Sequence, residues 1–108
     1  MISLSKFEAD IWLHPGMNLE TALGRTTHLA IGAHQDDLEF MAFEGISTCF
    51  DSEENWFTGI TVTDGRGSSR TGPYSLYNDE EMRNIRRKEQ CEAARTGKYA
   101  AQFQLDYR

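Results

Sequence analysis

Apolar positions along this chain come in short blocks separated by polar and glycine-rich stretches. Residues 27–32 (THLAIG) form a β-branched and apolar run, the pattern of a buried strand. The polar AHQDD follows. Residues 38–50 then carry Leu38, Phe40, Met41, Phe43, Ile46, Cys49 and Phe50. The spacings 38, 41, 46, 49 and 43, 46, 50 predict one helix packed on a sheet. Gly45 weakens it by roughly 1 kcal/mol relative to alanine. Residues 55–63 (NWFTGITVT) predict a second strand, and residues 64–73 a long glycine-rich loop. Asn78 or Asp79 opens a second long helix, with Glu80 and Glu81 favourably placed in its first turn. That helix runs to about Thr96, where Gly97 stops it. Residues 100–107 (AAQFQLDY) read as the start of a third strand. Upstream, residues 1–16 read as irregular and end in the turn signal His14-Pro15-Gly16. Asn18 caps a short helix through about Leu23, stopped by Gly24.

The order is β-α-β-α-β, which predicts an α/β fold with a Rossmann-like parallel sheet and right-handed crossovers. Ligands of such sheets bind beyond the carboxyl ends of the strands. The AHQDD turn and the loop from Asp64 both follow strands, so they share that edge. The chain divides into an irregular segment with a short helix, residues 1–26, and the strand–helix unit, residues 27–108. Three short strands alone would leave sheet edges unpaired. The expectation is a sheet truncated after its third strand, the N-terminal part of a larger domain.

Composition narrows the partners. The 108 residues are one domain's worth, with 39% hydrophobic and 26% charged residues. The formal net charge of −6 argues against general nucleic-acid binding, which needs a basic footprint. It gives no pull toward anionic membrane surfaces, and no apolar run approaches the roughly 20 residues of a membrane span. The first residues lack the apolar core of a signal peptide, so a cytoplasmic location is the default expectation. Oligomeric state, including a homo-oligomer, stays open. Cys49 and Cys91 read as free, buried or half-buried thiols.

The chemistry concentrates at His34, Asp36 and Asp37, on a strand-to-helix turn. A neutral imidazole and a carboxylate are good zinc ligands. A second carboxylate that is not a ligand can take a proton from water activated by the ion. The N-terminus of the following helix helps keep carboxylates ionised. Spacing alone leaves a plainer reading open, with Asp36 a simple helix cap and His34 a solvated loop residue. The loop from Asp64 to Gly72 either cradles a sugar or phosphate with its backbone N–H groups or is a plain surface loop. It lacks the ending of a P-loop. Arg83, Arg86, Arg87 and Lys88 read mainly as a solvated basic face paired with neighbouring glutamates. Trp12, Phe40, Phe43, Trp56 and Phe57 read as core or rim packing.

Three motifs in order add a resemblance. The segments THLAIGAHQDDLEFMAFEGI, ITVTDGRGS and NIRRKEQCEAARTGKYAAQFQLDY resemble the first signature, the second strand with its T-D-G loop, and the following helix and strand of PIG-L/LmbE-type deacetylases. The resemblance implies a zinc-dependent hydrolase that removes acetyl from an N-acetylglucosamine-type sugar or sugar conjugate. By it, His34 and Asp37 match zinc ligands and Asp36 the general base. Arg86 and Glu89 match positions of the helix pattern, where the arginine helps hold substrate; Asp64 lies in the loop expected to contact it. Two departures stand out. Gln35 replaces the proline of the usual motif, and Leu38 replaces its glutamate, with Glu39 one place later. The third zinc ligand, a downstream histidine in the family, has no match here; His14 and His28 are poorly placed for it. A second reading is therefore a non-catalytic carbohydrate-binding or interaction fragment that keeps the fold. A nucleotide-binding Rossmann-like domain ranks last, because the first turn lacks G-x-G-x-x-G.

Overall fold

The computed structural model describes residues 9–66, 72 and 75–107. Four strands, β1 (Asp10–Leu13), β2 (His28–Gly32), β3 (Phe57–Thr63) and β4 (Ala101–Tyr107), form one sheet in the order β1-β4-β3-β2. β2, β3 and β4 are parallel, as the alternation of strands and helices predicts. β1 is an addition. Residues 10–13 were expected to be irregular, but they pair antiparallel with β4, from Asp10 opposite Gln104 to Leu13 opposite Ala101. Four residues are too few for a period-of-two signal to stand out.

Four helices, α1 (Leu19–Arg25), α2 (Asp37–Met41), α3 (Phe43–Cys49) and α4 (Asp79–Thr96), complete the described elements. Asn18 caps α1 by accepting from the Thr21 N–H. The helix passes through Gly24 rather than stopping there, and ends at Thr26, whose hydroxyl donates to the Ala22 carbonyl. The single helix expected over residues 38–50 is two helices, broken at Ala42 (φ −114, ψ 22). Leu38, Ile46 and Cys49 are buried and the half-buried Ala42 packs against the same core, so one narrow stripe faces the sheet. Phe40, Met41, Phe43 and Phe50 lie outside that stripe and are exposed, which corrects the packed face expected of Met41, Phe43 and Phe50 and leaves Phe40 and Phe43 out of the core. α4 has a complete capping box: the Asn78 side chain accepts from the Glu81 N–H, and the Glu81 carboxylate accepts from the Asn78 N–H.

The sheet separates two apolar clusters. Ile46, Cys49, Phe57, Ala94 and Tyr99 pack beneath α3 and α4. Ala22, Ala100, Ala101 and Phe103, with Ile11, Leu13, Leu23 and Ile60 against them, form the other beneath α1. The face of β4 turned to α4 is polar yet buried, through Gln102, Gln104 and Asp106. Asp106 sits at φ 65, where the pairing of β4 with β3 slips by one residue between Thr61 and Thr63. Its carboxylate accepts from Arg83 Nε at 2.9 Å and Arg83 Nη2 at 3.1 Å, and from Arg87 Nη2 at 3.0 Å. The basic run on α4 is therefore not a solvated face throughout, since Arg83 is only 5% exposed. Both cysteines are free, with Cys49 buried and Cys91 half-buried.

Candidate active site

The loops after β2 and β3 lie side by side at the carboxyl ends of the parallel strands. The Thr63 N–H donates to the Ala33 carbonyl at 2.9 Å, and Gln35 Nε2 donates to the Thr63 carbonyl at 2.9 Å. Gln35 thus ties the two loops together where a proline could not. Its Oε1 is buried and has no hydrogen-bond partner among the described residues. Gly65 follows, at φ 83. A Cβ there would stand 2.6 Å from Gln35 Oε1 and 2.7 Å from the Arg86 Cβ, so only glycine lets the two loops and α4 close together.

His34 and Asp37 face each other. The His34 N–H donates to Asp37 Oδ2 at 2.9 Å, and the His34 Nδ1 lies 3.5 Å from the same oxygen. His34 is largely exposed and the Asp37 side chain about a third so. Between them Asp36 turns into the left-handed region at φ 69, ψ −9. Its side chain makes no capping hydrogen bond, and α2 is only five residues long, so the expected support of the carboxylates by a helix N-terminus is weak here. Burial raises the Asp36 carboxyl above its ordinary value; Glu89 adds to the rise, Arg86 opposes it and Asp37 adds a smaller rise.

α4 brings the remaining side chains. Arg86 donates to Glu89 Oε1 at 2.7 Å, and both act electrostatically on Asp36. Asp64 is otherwise engaged. Its carboxylate accepts from the Arg66 N–H at 2.9 Å and from the Arg66 guanidinium at 2.5 Å, and its side chain is 1% exposed. Asp64 anchors its own loop. Residues 67–71, 73 and 74 of the glycine-rich loop expected there lie outside the described residues.

Beneath Asp36 runs a polar network that sequence reasoning missed. The Asp36 N–H donates to Gln90 Oε1 at 3.0 Å. Gln90 Nε2 faces the Glu39 carboxylate and Gln102 Oε1, each at 3.5 Å, and the Tyr99 hydroxyl donates to Glu39. Glu39 is the acid one place beyond the position expected for it. Leu38 fills that earlier position because it packs, fully buried, into space left by Gly32 and Gly59.

Residues 29–108 match the family model of PIG-L, described as GlcNAc-PI de-N-acetylase. The chain belongs to the PIG-L family. Members of this family are deacetylase-type hydrolases and typically depend on a metal. No curated protein and no solved structure gives a match. Within this PIG-L chain, His34 and Asp37 carry side chains of a chemistry that suits zinc. No group of three or more His, Cys, Asp or Glu side chains able to hold a metal occurs among the described residues. The residues present therefore fit part of a catalytic zinc set, which takes three protein ligands. His28 is committed elsewhere, with its Nδ1 2.8 Å from Thr27 Oγ1 and 3.3 Å from Cys49 Sγ. The His14 Nδ1 lies 3.2 Å from the Tyr99 carbonyl oxygen. His14 also lines a cavity of about 440 Å³ with Trp12, Trp56, Arg95 and Lys98, at the opposite, amino end of the parallel strands. That cavity is not the place of the motif.

Proposed function

We propose that residues 27–108 are the N-terminal part of a zinc-dependent deacetylase domain that removes acetyl from an N-acetylglucosamine-type sugar or sugar conjugate. One observation carries the reading: an imidazole and a carboxylate meet at 3.5 Å where the parallel edge strand β2, with Leu29 and Ile31 exposed rather than buried as its apolar run predicts, gives way to a helix, with a second carboxylate between them. His34 and Asp37 would hold the ion, and a bound zinc supplies Lewis acidity to the acyl oxygen and to water. Asp36 accepts the proton from that water and passes it to the departing amine. Its raised pKa moves it toward the range in which a carboxylate both takes and returns a proton near neutral pH. Arg86, which donates to Glu89, would meet a sugar hydroxyl, and Asp64 would shape the loop wall through Arg66. No described helix is long and apolar enough to cross a membrane.

The test is Asp36→Asn in a protein carrying this chain with a complete zinc donor set. Deacetylation should fall by about 10²–10⁴-fold, the contribution of a positioned base, with zinc content unchanged. Wild-type turnover in that variant would remove Asp36 from the role. The two-donor set favours a second reading, a non-catalytic carbohydrate-binding fragment. Sugar binding by the 108-residue chain without zinc uptake or turnover supports that reading instead.

A further inference from the structure

Asp36 adopts a left-handed backbone conformation uncommon for a non-glycine residue, and its own side chain makes no capping bond to hold it there. The restraint comes from α4, through the 3.0 Å hydrogen bond from the Asp36 N–H to Gln90 Oε1. Gln90 is wholly buried, and its surroundings allow one orientation of its carboxamide. The Nε2 faces both Glu39 oxygens and Gln102 Oε1, which are all acceptors. Reversing the carboxamide would set its oxygen against a carboxylate and turn an NH2 group toward the Asp36 N–H. Gln102 is fixed in turn, because its Nε2 donates to Thr61 Oγ1 at 3.0 Å and to the Phe103 carbonyl at 3.1 Å. Glu39 is fixed by the Tyr99 hydroxyl. With its Nε2 turned to Glu39 and Gln102, Gln90 leaves its Oε1 to accept from the Asp36 N–H.

We propose that Gln90 is the positioning residue for Asp36: its carboxamide oxygen, oriented by Glu39 and Gln102, holds the Asp36 backbone in the left-handed conformation that sets where the carboxylate points. The functional meaning rests on Asp36 acting as the base; the positioning itself does not. Gln90 touches no reacting atom and acts through Asp36.

The experiment is NMR on the isotopically labelled chain, without metal or substrate. In the wild type, a scalar coupling across the hydrogen bond should link the Asp36 amide nitrogen to the Gln90 carboxamide carbon. In Gln90→Met, similar in length but without the acceptor, Asp36 amide exchange should quicken by about tenfold, the order of one net hydrogen bond, and its carbon shifts should leave their left-handed values. Exchange at the Tyr99 N–H, bonded to the Ala94 carbonyl, should stay as it is. A folded Gln90→Met chain with unchanged Asp36 exchange and shifts overturns the proposal. So does a missing coupling in the wild type, which decides the matter even where the methionine variant fails to fold. None of these readouts involves deacetylation, so a failed deacetylase reading is recognised separately, by the Asp36→Asn assay.

Discussion

Replacing Arg83 by methionine tests how the polar face beneath α4 is held. Arg83 and Asp106 form a nearly solvent-free bidentate pair, with side chains 6% and 2% exposed. Breaking such a pair from one side costs about 3–5 kcal/mol, because the remaining charge is left buried. Arg87 still reaches the same Asp106 oxygen at 3.0 Å, which places the loss near the lower end, about 3 kcal/mol. Against a domain stability of about 5–15 kcal/mol that is a large fraction. The loss also has a pH signature. Burial alone would raise the Asp106 carboxyl, but the hydrogen bonds and charge of Arg83, joined by Arg87, outweigh it and hold the group below its ordinary value. A depressed pKa contributes stability that is present above the unfolded value of about 3.9 and disappears as pH falls through the folded value. Urea denaturation should therefore show a large gap between wild type and Arg83→Met near neutral pH, narrowing below about pH 4 as Asp106 is protonated. Equal midpoints at neutral pH would refute the reasoning.

Further consequences follow from other contacts. Gly59→Ala should destabilise by about 1–3 kcal/mol, the cost of overpacking, since a Cβ there meets Leu38 Cδ1 at 2.6 Å and the Gln102 oxygen; an unchanged urea midpoint would contradict it. Burial, the hydrogen bond to Glu39 and its charge hold the Tyr99 hydroxyl protonated far above the ordinary tyrosine range. One tyrosine should then resist ionisation in phenolate absorbance until the chain unfolds, and stability should fall as pH rises above about 10, where the unfolded chain loses that proton first. Glu89→Gln removes the second cause of the raised Asp36 pKa, after burial. Its carboxyl titration, followed by carbon NMR, should move down; no movement would place Glu89 too far away to matter.

The parallel strands and α4 were legible because their signals are local. Residues 28–32 and 57–63 are short apolar runs, and Asn78 and Glu81, three places apart, carry the capping box. The break at Ala42 was not, since no proline or glycine marks it and only tertiary packing decides which stripe of residues 38–49 faces inward. Strand β4 was legible as a strand, but not the burial of its polar face. Gln102, Gln104 and Asp106 alternate with Ala101, Phe103 and Leu105 and are buried under α4. Each polar group there finds a partner that lies distant in sequence, such as Arg87 for Gln104 and Arg83 for Asp106. The candidate site divides along the same line. His34, Asp36 and Asp37 stand together in the chain and could be found by inspection. Gln90 and Tyr99 reach the loop only through the packing of α4 on the sheet, and no spacing announces them; Glu39 could be seen one place beyond the motif, but not its partners.

The most direct test is a zinc titration of the chain, read at each histidine imidazole by NMR. His34 should respond first, and Asp37→Asn should weaken the ion's hold by more than about tenfold while Asp36→Asn leaves it largely intact. Zinc that perturbs His14 or His28 and passes over His34, or binding indifferent to Asp37, would contradict this.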